Sequence, residues 1–168
     1  LTGHLVLSTL HTNDAATTLP RLLDMKVEPF LVASTVNVAI AQRLVRQICT
    51  KCRASYQLNK DEIKILEHEP RIKEICNKRG FKDFTKMRLY RGAGCKVCGD
   101  TGYSGRVGVF EVLEMADNIK DLILKNASSG EITKTAIANG MTTMMEDGME
   151  KVFNGVTTLE EILRVTRE

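Results

Sequence analysis

The polar and apolar positions of this 168-residue chain change period several times. Leu5-Val6-Leu7-Ser8-Thr9-Leu10 is a short, mostly apolar run and predicts a strand buried on both faces, as in a parallel sheet. It runs into His11-Thr12-Asn13-Asp14, a polar cluster able to cap a helix. In open α/β sheets ligands bind at that carboxyl edge. A helix is expected over Ala15–Met25, with Pro20 either kinking it or falling in a first turn that begins near Thr17 or Thr18. Glu28-Pro29 opens a second helix, because proline fits the first helical position. Phe30 to Arg46 is apolar nearly all round, which predicts a largely buried helix. Arg43 and Arg46 would then meet the negative end of its dipole, a structural role.

Further along, Asn59 to Glu62 reads as a cap with glutamate at the third position, starting a short helix that runs to about Glu69. Pro70 starts another, which Gly80 ends. Leu89-Tyr90-Arg91 predicts a strand, and Arg106 to Leu113 alternates apolar residues as a longer one. The tail is helical. Asp117 is placed to cap Asn118–Asn126. Ser128-Ser129-Gly130-Glu131 is a capping box for a helix closed by Gly140. Thr142–Phe153 follows, ended by Asn154-Gly155, and Thr158-Leu159-Glu160-Glu161 is a second capping box. Met141, Met144, Met145 and Met149 recur at a spacing more typical of a core than of a binding groove.

Two cysteine pairs cut across these elements: Cys49-Thr50-Lys51-Cys52 and Cys95-Lys96-Val97-Cys98. Each pair offers two thiolates from one tight turn, and two pairs close a shell of four sulfurs that suits Zn²⁺. The glycines of Gly92-Ala93-Gly94 and Gly99-Asp100-Thr101-Gly102 allow positive φ and a close approach of backbone N–H to sulfur. The 42 residues between the pairs exceed the usual zinc-ribbon gap of about 15–20. The added loop entropy is under about 1 kcal/mol, small beside the roughly 10–16 kcal/mol of a structural zinc. Four cysteine ligands leave no position for water, so the metal is expected to be structural. Cys76, among apolar neighbours at helical spacing, reads as a small buried hydrophobe.

Composition narrows the class. Apolar residues make up 43% and aromatics 5%, with no Trp, so the core must be aliphatic. No apolar run is long enough to span a bilayer and no basic-then-apolar leader opens the chain. With zinc-like cysteine usage, that favours the cytosol. The net charge of +3 is unevenly spread. Residues 49–98 hold 13 Lys/Arg against 6 Asp/Glu, a formal +7, and the remainder is −4. Four thiolates around Zn²⁺ bring the module to about +5. A basic face suits a polyanion, a lipid surface or an acidic protein, but few aromatics accompany it for base stacking. The chain shows no G-x-x-x-x-G-K-[ST] phosphate loop, no Ser/His/Asp constellation and no nucleophile elbow.

Taken together these stretches resemble one family. Thr2-Gly3-His4 through Asn13-Asp14-Ala15 resembles the histidine box of type II secretion ATPases and type IV pilus extension motors. Ala41-Gln42-Arg43-Leu44-Val45-Arg46 followed by Cys49 and Cys52 is similar to the entry into that family's metal module. Gly94-Cys95-x-x-Cys98 through Gly105-Arg106-Val107-Gly108-Val109-Phe110-Glu111 is similar to its exit. Gly140-Met141 through Gly148, and Gly155-Val156 through Arg164-Val165, resemble its C-terminal helices. The resemblance implies an α/β fold: part of a RecA-like P-loop ATPase core at 1–48, an inserted tetracysteine zinc module with the following strand at 49–113, and a C-terminal helical subdomain at 114–168.

It also implies a function. The parent would be a homohexameric, cytoplasmic motor, peripheral on the inner membrane, that uses ATP and Mg²⁺ to move an inner-membrane platform protein. Tetracysteine modules are usual in the extension and secretion motors and generally lacking in retraction motors. His4 and His11 match the two histidines that lie near the nucleotide phosphates. Arg43 and Arg46 match an arginine pair, of which one approaches nucleotide and the other is structural. Cys49, Cys52, Cys95 and Cys98 match the zinc ligands.

The chain departs from the full pattern, because the phosphate loop and the acidic segments belong upstream and are absent from it. It therefore reads as a piece of a longer protein, with residues 1–48 lacking neighbouring strands, and by itself is not expected to hydrolyse ATP. Two other readings stand beside this one. The first is a zinc-ribbon nucleic-acid-binding protein with a helical tail, supported by the basic module. The second is a chaperone-type zinc module, to whose glycine-rich cysteine repeats Cys95-x-x-Cys98-Gly99 is similar; only one half-repeat is present.

Overall fold

A computed structural model of the chain describes residues 3–81 and 83–166. The architecture is mixed α/β. Along the chain run α1 (Thr18–Asp24), α2 (Pro29–Thr35), β1 (Val38–Ile48), β2 (Arg53–Gln57), α3 (Lys60–His68) and α4 (Pro70–Lys78). They are followed by β3 (Arg88–Gly92), β4 (Tyr103–Glu114), α5 (Asp117–Leu124), α6 (Ser129–Ala138), α7 (Met144–Phe153) and α8 (Leu159–Thr166). Two compact units share these elements: Leu1–Ala41 with Val112–Met141, and Gln42–Glu111 with Thr142–Glu168. The chain crosses between them within β1 and within β4.

In the first unit, α2 packs on α1 and α5, and α5 packs on α6. Leu19, Val32, Ile119, Ile123 and Ile132 are buried there. Pro20 falls in the first turn of α1, where no intrahelical N–H is needed. Ser128 and Glu131 form the expected capping box of α6, and Gly140 closes that helix at φ +100°. Asp117 is not a cap: Ala116 occupies that position, and the Asp117 carboxylate instead accepts from Lys120 at 2.8 Å.

Two further expectations in this part of the chain fail. Leu5–Leu10 forms no strand, and Leu5, Val6 and Leu7 are exposed. A doubly buried strand needs ladder partners and cover on both faces, and the described residues supply neither. The apolar run from Phe30 is not one helix. Ser34 and Thr35 donate their hydroxyls back to the Leu31 carbonyl, at 3.3 and 2.7 Å, and α2 ends at Thr35. From Val38 the chain is β1, with Ala39 and Ala41 buried while Val38, Ile40 and Leu44 are exposed. A continuous apolar run does not distinguish helix from strand, and the β-branched Val36, Val38 and Ile40 tip this one to strand.

β1 and β4 form one two-stranded sheet. Bonds from Met115 N–H to the Asn37 carbonyl (3.1 Å) and from Cys49 N–H to the Gly102 carbonyl (2.9 Å) flank it and make the pair antiparallel. β2 and β3 form the second sheet, antiparallel with Arg53 opposite Gly92 and Gln57 opposite Arg88. The 30 residues between β2 and β3 carry α3 and α4. Asn59 and Glu62 cap α3 reciprocally, and Pro70 starts α4. Leu66, Ile72, Cys76, Met87 and Leu89 are buried, and α4 lies on α7. Helix α7 has a capping box not anticipated from the sequence, Thr143 with Glu146. Met144 and Met149 on this helix are buried, so they are core. At Gly148 a Cβ would come within 2.9 Å of Ile162, which fixes the close approach of α7 to α8.

Glu161 does not complete a capping box with Thr158 in the expected sense. Its backbone N–H does donate to Thr158 Oγ1 at 3.4 Å. Its carboxylate, on a residue only 1% exposed, accepts from the Arg46 backbone N–H (2.8 Å) and the Arg46 guanidinium (2.9 Å). It also accepts from Arg164 Nε and Nη2, at 3.1 and 2.9 Å. Burial pushes the Glu161 carboxyl up, but the hydrogen bonds from Arg164 and Arg46 outweigh it and hold it at about 2. A carboxyl whose pKa is lower folded than unfolded stabilises the fold above its unfolded value of about 4.5, and that contribution is lost as pH falls toward 2. We expect Glu161→Gln to cost on the order of 2 kcal/mol at pH 6. The difference from wild type, followed by denaturant titration at each pH, should shrink between pH 4.5 and 2. A constant difference across that range would show that the charge plays no part.

Candidate metal centre

All four cysteine knuckle residues lie where strands end. Cys49 follows β1 and Cys52 precedes β2; Cys95 follows β3 and Cys98 precedes β4. The two knuckles have the same backbone turn. Cys52 N–H donates to the Cys49 carbonyl at 3.3 Å, and Cys98 N–H donates to the Cys95 carbonyl at 3.1 Å. Lys96–Cys98 form a single 3-10 turn ended by Gly99 in the left-handed region, φ +60°. The turns are tied across by Ala93 N–H to the Cys52 carbonyl (3.0 Å) and Cys49 N–H to the Gly102 carbonyl (2.9 Å). Gly92 and Gly102 meet back to back: a Cβ on Gly92 would stand 2.0 Å from the Gly102 carbonyl oxygen. No side chain fits there, and this contact brings the second knuckle up to the first.

The result is four sulfurs within 4.8 Å of one another. Sγ of Cys49 lies 4.0 Å from Cys95, Cys52 lies 3.9 Å from Cys98, and Cys95 lies 3.7 Å from Cys98. A tetrahedron with Zn–S of about 2.3 Å has edges of about 3.8 Å, so the donor set fits Zn²⁺. None of the five cysteines is in a disulfide. Backbone groups prepare the site for charge. Cys95 N–H donates to Cys98 Sγ at 3.3 Å. Burial raises the Cys98 thiol, but N–H groups of Cys95 and Gly102 outweigh it and bring the thiol down to about 6. Desolvation pushes Cys52 the other way, up to about 12, helped by the neighbouring sulfurs. Four thiolates this close repel one another, and a divalent cation relieves that repulsion. Cys76 lies apart, fully buried, with desolvation pushing its thiol up to about 11.

The other site residues from the sequence fall in different places. His4 and His11 are exposed and lie in irregular backbone of the first unit. Arg43 and Arg46 lie on β1 in the second unit, not at a helix end. Arg43 is half-buried. Arg46 is engaged with Glu161 and stacks over the Tyr103 ring at 4.1 Å. Glu161 and Tyr103 were not singled out as site residues from the sequence. Thr158-x-x-Glu161 has the spacing of a helix cap, and nothing local reveals a partner 115 positions away.

Residues 1–164 match the family model described as Type II/IV secretion system protein. The chain belongs to that family. It is 42% identical over 163 residues to the type IV pilus assembly ATPase PilB of Myxococcus xanthus, covering 97% of this chain and 27% of that protein. It is 42% identical to type II secretion system protein E of Pseudomonas aeruginosa, over 100% of this chain and 31% of the relative. Against PilB of Thermus thermophilus it is 40% identical over 100% of this chain and 18% of the relative. The chain thus spans less than a third of the length of these family members.

Metal analysis of the purified chain should find about one tightly held zinc, absent from a Cys52→Ser/Cys98→Ser variant. Gly92→Ala should break the back-to-back approach, lowering stability by about 2–3 kcal/mol and releasing the metal at lower chelator concentration. Undiminished metal retention in Gly92→Ala would show that the knuckles do not depend on that contact.

Proposed function

We propose that this chain is part of a hexameric motor ATPase that powers type IV pilus extension or type II secretion. The observation that carries the reading is the identity of about 40% to proteins named as pilus assembly ATPases and a secretion system protein, over nearly every residue of the chain. Within that motor the tetracysteine cluster holds a structural Zn²⁺ through Cys49, Cys52, Cys95 and Cys98. A closed S₄ shell does no chemistry on substrate; it fixes the ends of four strands.

ATP hydrolysis supplies the energy of the motor, with Mg²⁺ on the phosphates; the G-x-x-x-x-G-K-[ST] loop that would cradle them is not among these 168 residues. His4 and His11 approach the nucleotide phosphates, where an imidazole N–H can donate to a phosphate oxygen. Arg46 holds Glu161 and stacks on Tyr103, which supports reading it as the structural member of the arginine pair, with Arg43 as the member that approaches nucleotide. The motor acts against an inner-membrane platform protein and is peripheral to that membrane on the cytoplasmic side. No helix among the described residues is long and apolar enough to cross a membrane.

The basic module supports a protein or lipid contact over nucleic-acid binding. Its charge is partly neutralised: Lys78 bridges Glu74 and Glu146, and Arg79 bridges Glu150. Tyr56 and Tyr90 are half-buried beneath Arg91 and Arg53, so they are not free platforms for bases. Lys60, Lys64, Arg71, Lys73, Lys78 and Arg79, on or next to α3 and α4, are the candidate contacts, the last two being those already engaged in ion pairs.

Steady-state phosphate release tests the reading. The isolated chain should show no ATP turnover. In the full-length parent, His11→Ala should lower kcat more than nucleotide affinity. Arg43→Ala should impair turnover with little change in thermal stability, and Arg46→Ala should chiefly lower stability. If Arg46→Ala spared stability and abolished turnover, the assignment of the pair would be reversed. Sequence-dependent, salt-resistant binding of duplex or single-stranded nucleic acid by the chain would instead favour the zinc-ribbon reading.

A further inference from the structure

The last helix and the metal centre are joined by a continuous set of hydrogen bonds that neither the cysteines nor the motor reading explains. On the edge of β1 away from β4, Ile48 N–H donates to the Val156 carbonyl at 2.8 Å. The Arg46 carbonyl accepts from Thr157 Oγ1 at 2.8 Å, and Arg46 N–H donates to Glu161 at 2.8 Å. Residues 156–161 thus occupy the edge of β1 over its last three positions, where a neighbouring strand would otherwise lie. Cys49 is the next residue. On the other side, the Arg46 guanidinium stacks on Tyr103, and Tyr103 Oη pairs with Thr158 Oγ1 at 3.0 Å. Tyr103 follows Gly102, whose carbonyl accepts from Cys49 N–H. Both routes from α8 end at the residue that presents the Cys49 thiolate.

We infer that Glu161 is a positioning residue for the metal centre: by holding both the main chain and the guanidinium of Arg46, it fixes the end of β1 so that Cys49 meets the other three sulfurs. The inference rests on the reading of the cluster as a zinc site. Its physical basis is that a metal shell is only as tight as the groups that orient its ligands. Without the carboxylate, Arg46 N–H and two guanidiniums lose their common acceptor, and of the bonds named on this edge of β1 those of Ile48 N–H and Thr157 Oγ1 are left. The coupling is reciprocal, because a group that favours the metal-bound arrangement is itself favoured by the metal. Zinc binding therefore steadies α8, about a hundred residues further along the chain than Cys49. Helix α8 should loosen with the zinc module, whereas α5 and α6 of the other unit should not.

Zinc affinity of the 168-residue chain, measured by competition with a chromophoric chelator, tests this directly. Glu161→Gln keeps the shape and removes the charge, and should weaken zinc binding about tenfold. Ile132→Ala is the control: it opens the core of the other unit, lowers stability and should leave zinc affinity within about twofold of wild type. Tyr103→Phe removes only the hydroxyl bond to Thr158 and gives a milder loss if Glu161→Gln does not fold. Hydrogen exchange of wild type should show α8 amides exchanging faster when zinc is removed, with α5 and α6 unchanged. Wild-type affinity in both Glu161→Gln and Tyr103→Phe, or an equal loss in Ile132→Ala, overturns the inference. Failure of the wild-type chain to bind zinc at all would instead overturn the metal reading on which it rests.

Discussion

Four sulfurs held 3.7–4.0 Å from their neighbours could all be thiolates only with a cation among them, and their convergence organises half of the molecule. It places the ends of β1 and β3 and the starts of β2 and β4 around one point. It explains why Gly92 and Gly102 meet where no side chain fits, and why backbone N–H groups face the sulfurs. It also explains how 42 residues can be inserted between two short knuckles without loss of order. The insertion has its own small core, built on Leu66, Ile72, Cys76 and Leu89, and its ends are tied at the cluster.

The second constraint is the buried carboxylate of Glu161. It is surrounded by Arg46 and Arg164, and its two oxygens accept four hydrogen bonds. A buried carboxylate without such partners would be strongly destabilising; with them it joins α8 to the strand that leads into the metal site. On β1 this holds Arg46 in the scaffold through both its main chain and its guanidinium. The histidines lie in the other compact unit, in backbone that is neither helix nor strand.

Much of this was legible in the sequence because the signals are local. The cysteine knuckles, the capping boxes at Asn59 and Ser128, Pro29 and Pro70 at helix starts, and Gly140 at a helix end each depend on a few neighbouring residues. β1 was misread as helix because a continuous apolar run carries no period, and only its β-branched residues pointed to strand. The Leu5–Leu10 run has a strand's composition, but a strand requires partners, and composition does not supply them. The role of Glu161 was hidden for the opposite reason. Its sequence signal, a glutamate three after a threonine, was strong and local, and it described a cap, while the carboxylate is used by an arginine 115 residues away. Membership of the secretion family was legible from the order of the histidine box and the tetracysteine, and the match over residues 1–164 shows it.

X-ray absorption at the zinc edge, on the purified chain after removal of loosely bound metal, tests the organising claim most directly. Four sulfur neighbours at about 2.3 Å and no nitrogen or oxygen in the first shell are the result this account predicts. A nitrogen or oxygen donor in that shell, or cysteines recovered as disulfides with no metal present, would contradict it.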